Sequence, residues 1–164
     1  MLQTKRQKIF YLCYILIEMI NFLPRCEQNN YYKPSVQAYE KTFVMLKPDS
    51  FKRSLDGKIM ESLKAKNLDV LKQWEGIAPR EKLEGNYIQH KNKSFFKEWI
   101  DFLLSGKVRA LLVGGEDAIS EINNLKKSIR SSYAPGEKRF NLIHSSDDAD
   151  NAKREIKNFF DIEI

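Results

Sequence analysis

Across residues 41–160, short runs of strand-forming residues alternate with stretches of helical periodicity, in the order β-α-β-α-α-β-α-β-α. Residues 41–47 read as a strand, stopped by Pro48, which has no N–H to give to a ladder. Residues 55–66 read as a helix with Ile59, Leu63 and Lys66 along one face. Asn67 follows where a left-handed cap is wanted, a conformation that asparagine tolerates. Further strands are predicted at 68–77, 108–113 and 141–144, and further helices at 80–91, 94–104, 118–129 and 149–160. In the last helix Ala149, Ala152, Ile156 and Phe159 recur every three or four residues, which gives it a stripe to bury. This order fits an α+β fold, an antiparallel sheet covered by helices in a ferredoxin-like arrangement. There is no internal repeat or low-complexity tract.

A chain of 164 residues, 42% hydrophobic, can bury one ordinary core. Its net charge of +6 suits a protein that meets polyanions, but the sign alone does not choose among nucleotide phosphates, nucleic acid and anionic lipid. The basic residues are spread along the chain and not interleaved with aromatics, so no specific nucleic-acid motif emerges. Cys13 and Cys26 form no CxxC pair and have no neighbouring histidine, which argues against a zinc site. The region beyond residue 40 has no cysteine, so its fold cannot depend on disulfides.

Two regions are expected: an extension over residues 1–40 and a domain over 41–164. Thr4-Lys5-Arg6-Gln7-Lys8 precedes an apolar run from Ile9 to Ile17 that continues loosely to Leu23, the outline of a signal peptide or anchor. Glu18 and Asn21 interrupt it, it is short for a membrane span, and no small-x-small cleavage site follows. Three readings stand: membrane targeting, an extra helix packed on the domain, or sequence upstream of the true start. Residues 29–39 are polar, contain Pro34 and read as linker.

The chemistry-bearing segment is Asn141-Leu142-Ile143-His144-Ser145-Ser146-Asp147. One of only two histidines ends a short apolar run, and Ser146, Asp147 or Asp148 can cap the helix that follows. A strand that stops at a histidine brings the imidazole to a sheet edge, within reach of a ligand. Glu155, on the following helix, can return to it. A histidine oriented by a carboxylate carries the proton on one ring nitrogen and keeps a lone pair on the other, as a nucleophile must. On spacing alone, a structural strand-end histidine is an equal reading. Lys47 likewise ends a strand, a natural place for a cation that holds a phosphate.

Together, Thr42-Phe43-Val44-Met45-Leu46-Lys47-Pro48-Asp49 and the Asn141–Asp147 segment resemble the nucleoside diphosphate kinase family, over roughly residues 41–160. The resemblance implies the ferredoxin-like fold and a ping-pong transfer of the γ-phosphate of ATP to nucleoside diphosphates through a phosphohistidine on His144. Mg²⁺ is then held mainly by the nucleotide phosphates. It also implies roles: Lys47 contacts the terminal phosphate, Tyr87 bonds near the nucleophile, and Phe95 stacks on the base. Asn141 bonds sugar and phosphate, Ser146 bonds Glu155, and Glu155 orients His144. Arg130, in Ser128-Ile129-Arg130-Ser131-Ser132-Tyr133, matches the arginine that grips the β-phosphate. A rival alignment on Pro135-Gly136 would give that role to Arg139, but leaves too few residues before His144. Trp99 falls where the family has an aliphatic base-pocket residue.

The chain also departs from the family. The segment before Arg130, including the "killer of prune" loop, is shortened, and Asn123 stands where a second phosphate-binding arginine is expected. Lys126 and Lys127 are the candidates to replace its charge, although lysine lacks the bidentate fork of arginine. The shortening bears on rate, on affinity and on assembly into hexamers, so a homo-oligomer is expected without commitment to six. The alternative reading is a non-catalytic nucleotide-binding or interaction module of the same family. A cytoplasmic location is expected, or membrane association through residues 5–23.

Overall fold

The computed structural model describes residues 38–164; the readings for residues 1–37 fall outside them. Strand β1 (Tyr39–Leu46) starts earlier than predicted and ends at Leu46. Pro48 then does more than stop the strand, because it opens a short helix α1 (Pro48–Lys52) that was not anticipated. Its fixed φ and missing N–H suit the first helical turn, where that N–H would lack a partner anyway. Helix α2 (Asp56–Lys64) follows, and Asn67 turns the chain at φ 54° as its residue type predicts.

Strand β2 (Asp69–Gly76) carries a register shift between Val70 and Lys72. The predicted helix at 80–91 divides into α3 (Arg80–Asn86) and a 3-10 turn (Ile88–His90), and α4 spans Phe96–Leu104. Strand β3 (Val108–Glu116) runs past its predicted end through Gly114 and Gly115. A Cβ on Gly114 would lie 2.5 Å from Tyr39 Oη and 2.8 Å from Leu71 Cδ1, so the glycine leaves room for these two side chains to lie over β3. Helix α5 extends from Ala118 to Tyr133, one turn beyond the predicted end, and so carries Arg130 within it. Strand β4 is Ile143–Ser145, two residues later than predicted at its start. Helix α6 (Ala149–Phe160) has the predicted bounds and buries Ala152, Ile156 and Phe159 of the predicted stripe, while Ala149, in its first turn, is exposed. Asp148 is its cap: the carboxylate accepts the Asn151 N–H at 2.8 Å.

The four strands form an antiparallel sheet in the order β2-β3-β1-β4, with helices on both faces, the ferredoxin-like arrangement. Alternation along β1 sorts its side chains between two cores. Val44 and Leu46 join Ile59 and Leu63 of α2 and Ile122, Leu125 and Ile129 of α5. Phe43 and Met45 join Leu83 of α3, Ile100 and Leu103 of α4, and Ile156 and Phe159 of α6. Ile156 has no exposed surface, and truncation to alanine would cost about 2–5 kcal/mol. His144 pairs with Met45 across the β1–β4 ladder and therefore points to the second layer, beneath α6 and α4. Among the described residues no helix is long and apolar enough to cross a membrane.

Candidate active site

Between Asn141 and β4 the backbone makes a tight reversal. Ile143 N–H donates to Asn141 O at 2.8 Å around Leu142, whose φ is 71°: a γ-turn of the rare positive-φ kind. The segment after β1 clamps it from both sides. Lys47 N–H donates to Leu142 O at 2.8 Å, and Leu142 N–H donates to Asp49 Oδ2 at 2.9 Å. Asp49 was not foreseen as a site-building residue. It is buried, its other oxygen has no partner, and burial pushes its carboxyl pKa up, against the Leu142 hydrogen bond and the charge of Lys47. The clamp joins the two motifs that lie farthest apart in the sequence.

His144 emerges from this turn with 14% of its side chain exposed, and its Nε2 lies 3.0 Å from Glu155 Oε2. A carboxylate only accepts, so Nε2 carries the proton and Nδ1 keeps its lone pair. Glu155 is itself 1% exposed and tied down: Ser146 Oγ donates to the same Oε2 at 2.7 Å, and Arg154 Nη2 reaches Oε1 at 3.2 Å. Arg154, unnoticed in the sequence, also donates to the carbonyls of Gly85 and Asn86, so it ties α6 to the end of α3. Phe43 and Tyr87 flank the imidazole with ring centroids 6.2 and 5.1 Å away.

Lys47 has no exposed surface; its Nζ donates to Asn141 Oδ1 at 2.6 Å and to Arg139 O at 3.4 Å. Burial first, then the charge of Arg130, lower its pKa from 10.5 to about 7; Asp49 acts the other way and Lys126 lowers it further. Helix α5 turns one face to this region, with Asn123, Lys126 and Arg130 spaced three and four residues apart. Arg130 Nη2 donates to Ile143 O at 2.5 Å, its Nε is buried without a partner, and burial lowers its pKa. Lys126 is buried, donating to Asp147 Oδ1 at 2.9 Å and Ser145 O at 3.5 Å, whereas Lys127 is exposed. Of the two lysines proposed to replace the missing arginine's charge, Lys126 stands at the site. Asn123 instead braces the loop, donating to the carbonyls of Ser146 and Asp147 and accepting from Ser145 Oγ. Arg139 pairs with Glu98 at the surface and offers the site only its carbonyl.

An aromatic cluster completes the surroundings. Tyr87 is buried with its hydroxyl unpartnered, and burial first, then the negative charge of Glu155, raise its pKa. Phe95 lies at the rim, 37% exposed, against Trp99 and His90. Phe96 packs into the second core. The structure thus gathers Lys47, Tyr87, Arg130, Asn141, Ser146 and Glu155 around His144, and leaves Phe95 exposed at the surface against His90 and Trp99.

A carboxylate-braced imidazole beside three buried or half-buried cations, on a ferredoxin-like sheet, has the chemistry of a phosphotransferase. Residues 40–164 match the family model described as nucleoside diphosphate kinase. A nucleoside diphosphate kinase of Methanocaldococcus jannaschii is 38% identical over 130 residues, covering 74% of this chain and 93% of that one. One from Listeria monocytogenes serotype 4b is 39% identical over 131 residues, covering 74% and 88%. Among solved structures, a nucleoside diphosphate kinase family protein from Babesia bovis aligns with a TM-score of 0.70 at 30% identity, covering 74% of this chain and 88% of that one. A halophilic nucleoside diphosphate kinase from Halobacterium salinarum, in complex with CDP, aligns with a TM-score of 0.66 at 34% identity, covering 76% and 90%. The chain belongs to the nucleoside diphosphate kinase family.

Proposed function

We propose that the protein transfers the γ-phosphoryl group of ATP to nucleoside diphosphates by way of a phosphohistidine on His144. The observation that carries this is the 3.0 Å approach of His144 Nε2 to Glu155 Oε2, which leaves Nδ1 as the free nucleophile. Nδ1 attacks the γ-phosphorus, the bond to the bridging oxygen breaks, and ADP leaves. A β-phosphate oxygen of a second nucleoside diphosphate then attacks the same phosphorus and the N–P bond breaks. Glu155 holds the ring proton and stabilises the positive charge that grows on the imidazole. Lys47, Arg130 and Lys126 neutralise phosphoryl and β-phosphate oxygens, and the unpartnered Tyr87 hydroxyl is a donor in reserve.

The charge-bearing groups around His144 are mainly cations: Lys47, Lys126 and Arg130. That set suits Mg²⁺ carried in on the nucleotide phosphates, where it supplies further charge neutralisation. Lys47, Lys126 and Arg130 would hold those phosphates. Phe95 offers a π-face to the base, a contact that discriminates little between bases. A homo-oligomer is supported by β2, a sheet edge with Leu71 exposed within it and Ile77 exposed just after it, which a second copy can cover. A cytoplasmic location fits a substrate pool of nucleotides; attachment through residues 5–23 is the alternative.

The test uses the full chain with Mg²⁺ and γ-labelled ATP, followed by unlabelled GDP. Acid-labile label should form on the protein, move to GTP, and be absent from His144→Ala. Appreciable turnover by His144→Ala would remove the histidine from its role. Nucleotide binding by folded wild type with no label would leave a non-catalytic module.

A further inference from the structure

Trp99 stands where the aromatic and cationic halves of the site meet. Its ring lies 5.3 Å from Tyr87 and 5.6 Å from Phe95, and it stacks on His90 at 6.2 Å with an interplanar angle of 8°. Its Nε1 is buried, and Phe95 is the more exposed ring, so Trp99 backs the platform rather than forming its outer surface. The Lys47 ammonium sits over the indole, 5.0 Å from the ring centroid.

An ammonium has three protons to place. Those of Lys47 find Asn141 Oδ1 at 2.6 Å and, more distantly, the Arg139 carbonyl, with no solvent within reach. The charges facing it are uneven: Arg130 and Lys126 of α5 oppose it, and only Asp49 of α1 favours it. A second carboxylate would restore the balance but would repel an incoming phosphate. The electron-rich face of an indole favours the cation without adding a negative charge.

We propose that Trp99 is a positioning residue, holding the Lys47 ammonium charged and aimed at the phosphates through its indole face. The proposal rests on the reading of this site as a phosphoryl-transfer centre. Through Trp99, packing of the aromatic cluster under a base is mechanically joined to the cation that meets the phosphates.

The test compares wild type with Trp99→Leu, which removes the π-face, and Trp99→Phe, which keeps a smaller one, all checked for folding by thermal unfolding. NMR follows the Lys47 Cε resonance against pH, assigned by its loss in Lys47→Met. Its titration midpoint should fall by about half a pH unit or more in Trp99→Leu and by less in Trp99→Phe. The alkaline limb of kcat/KM for ATP should move down with it, and kcat/KM at pH 8 should fall roughly threefold in Trp99→Leu. In a Lys47→Met background Trp99→Leu should add nothing. An unchanged midpoint in both variants overturns the proposal. So does an equal further loss in the Lys47→Met background, which would make Trp99 an independent base-binding residue. If wild type forms no phosphohistidine, the kinase reading fails while the NMR titration still decides whether the indole holds the lysine. If Trp99→Leu does not fold, the midpoint in Trp99→Phe decides it.

Discussion

Lys47 Nζ lies 2.6 Å from Asn141 Oδ1, across 94 residues of sequence and with no solvent exposure. Burial, then Arg130, bring the lysine pKa down to about 7 from the 10.5 of a free side chain. The unfolded chain therefore keeps this proton to higher pH than the folded one does. Folding becomes more favourable as pH rises from about 7 to 10.5, and the whole cost of the buried ammonium is present below 7.

Lys47→Met should accordingly raise the Tm in weakly acidic buffer and lose phosphotransfer. The gain should shrink as pH climbs towards 10.5, since the folded wild type then buries a neutral amine and no longer carries the cost of the ammonium. Thermal unfolding of both proteins across that range checks it. A Tm at or below wild type near pH 6 would show that the ammonium is not a burden to the fold.

Glu155→Gln keeps an acceptor for the imidazole N–H but removes the charge that stabilises a phosphorylated ring. Steady-state transfer from ATP to GDP should show kcat reduced about 10²-fold with KM little changed. Ser146→Ala removes one of the hydrogen bonds that aim the carboxylate and should cost less, on the order of threefold to tenfold. Equal kcat for Glu155→Gln and wild type would mean that the negative charge is unused.

Arg130→Lys retains a positive charge but not the fork that can bond Ile143 O and a phosphate at once. KM for ATP should rise about tenfold while the phosphohistidine, once formed, still transfers. Titration of ATP binding at two salt concentrations separates this loss from simple screening. An unaltered KM would assign the β-phosphate to Lys126.

Asp49→Ala leaves the Leu142 N–H without its acceptor inside a strained turn. Urea unfolding should show a loss of about 1–3 kcal/mol, accompanied by a drop in kcat because Asn141 and His144 flank that turn. Asp49→Asn should cost less on both counts, since an amide oxygen can take the same N–H and burial already disfavours the charged carboxyl. Identical stability for Asp49→Ala and wild type would disprove the clamp.

The elements that were readable in advance were those whose signals are local. Helix α6 appears where its apolar spacing places it, with Asp148 taking the cap among three candidates, and Asn67 takes the left-handed turn its residue type favours. Helix α1 carries no sequence signal of its own beyond Pro48, which ends a strand and starts a helix by the same missing N–H and fixed φ. The overlong β3 was missed because Gly114 and Gly115 weaken a strand locally and are tolerated only for the space they leave a neighbour.

At the site, residue chemistry marks Lys47, His144 and Glu155, and the family resemblance adds Asn141 and Ser146. Nothing in either gives Leu142 a positive φ, hands its N–H to Asp49, or puts Lys47 over Trp99. The choice of Lys126 over Lys127 likewise depended on which face α5 turns inward. Residue types and spacings by themselves determined the strand and helix order and marked His144, Glu155 and Lys47 as nucleophile candidate, carboxylate and cation, because periodicity, capping and side-chain chemistry act over a few residues; Arg130 and Lys126 entered only through the family resemblance. Burial, charge proximity and hydrogen-bond partners between residues 90 or more apart were decided only by the tertiary structure, since a pKa or a strained turn depends on what the folded chain packs around it.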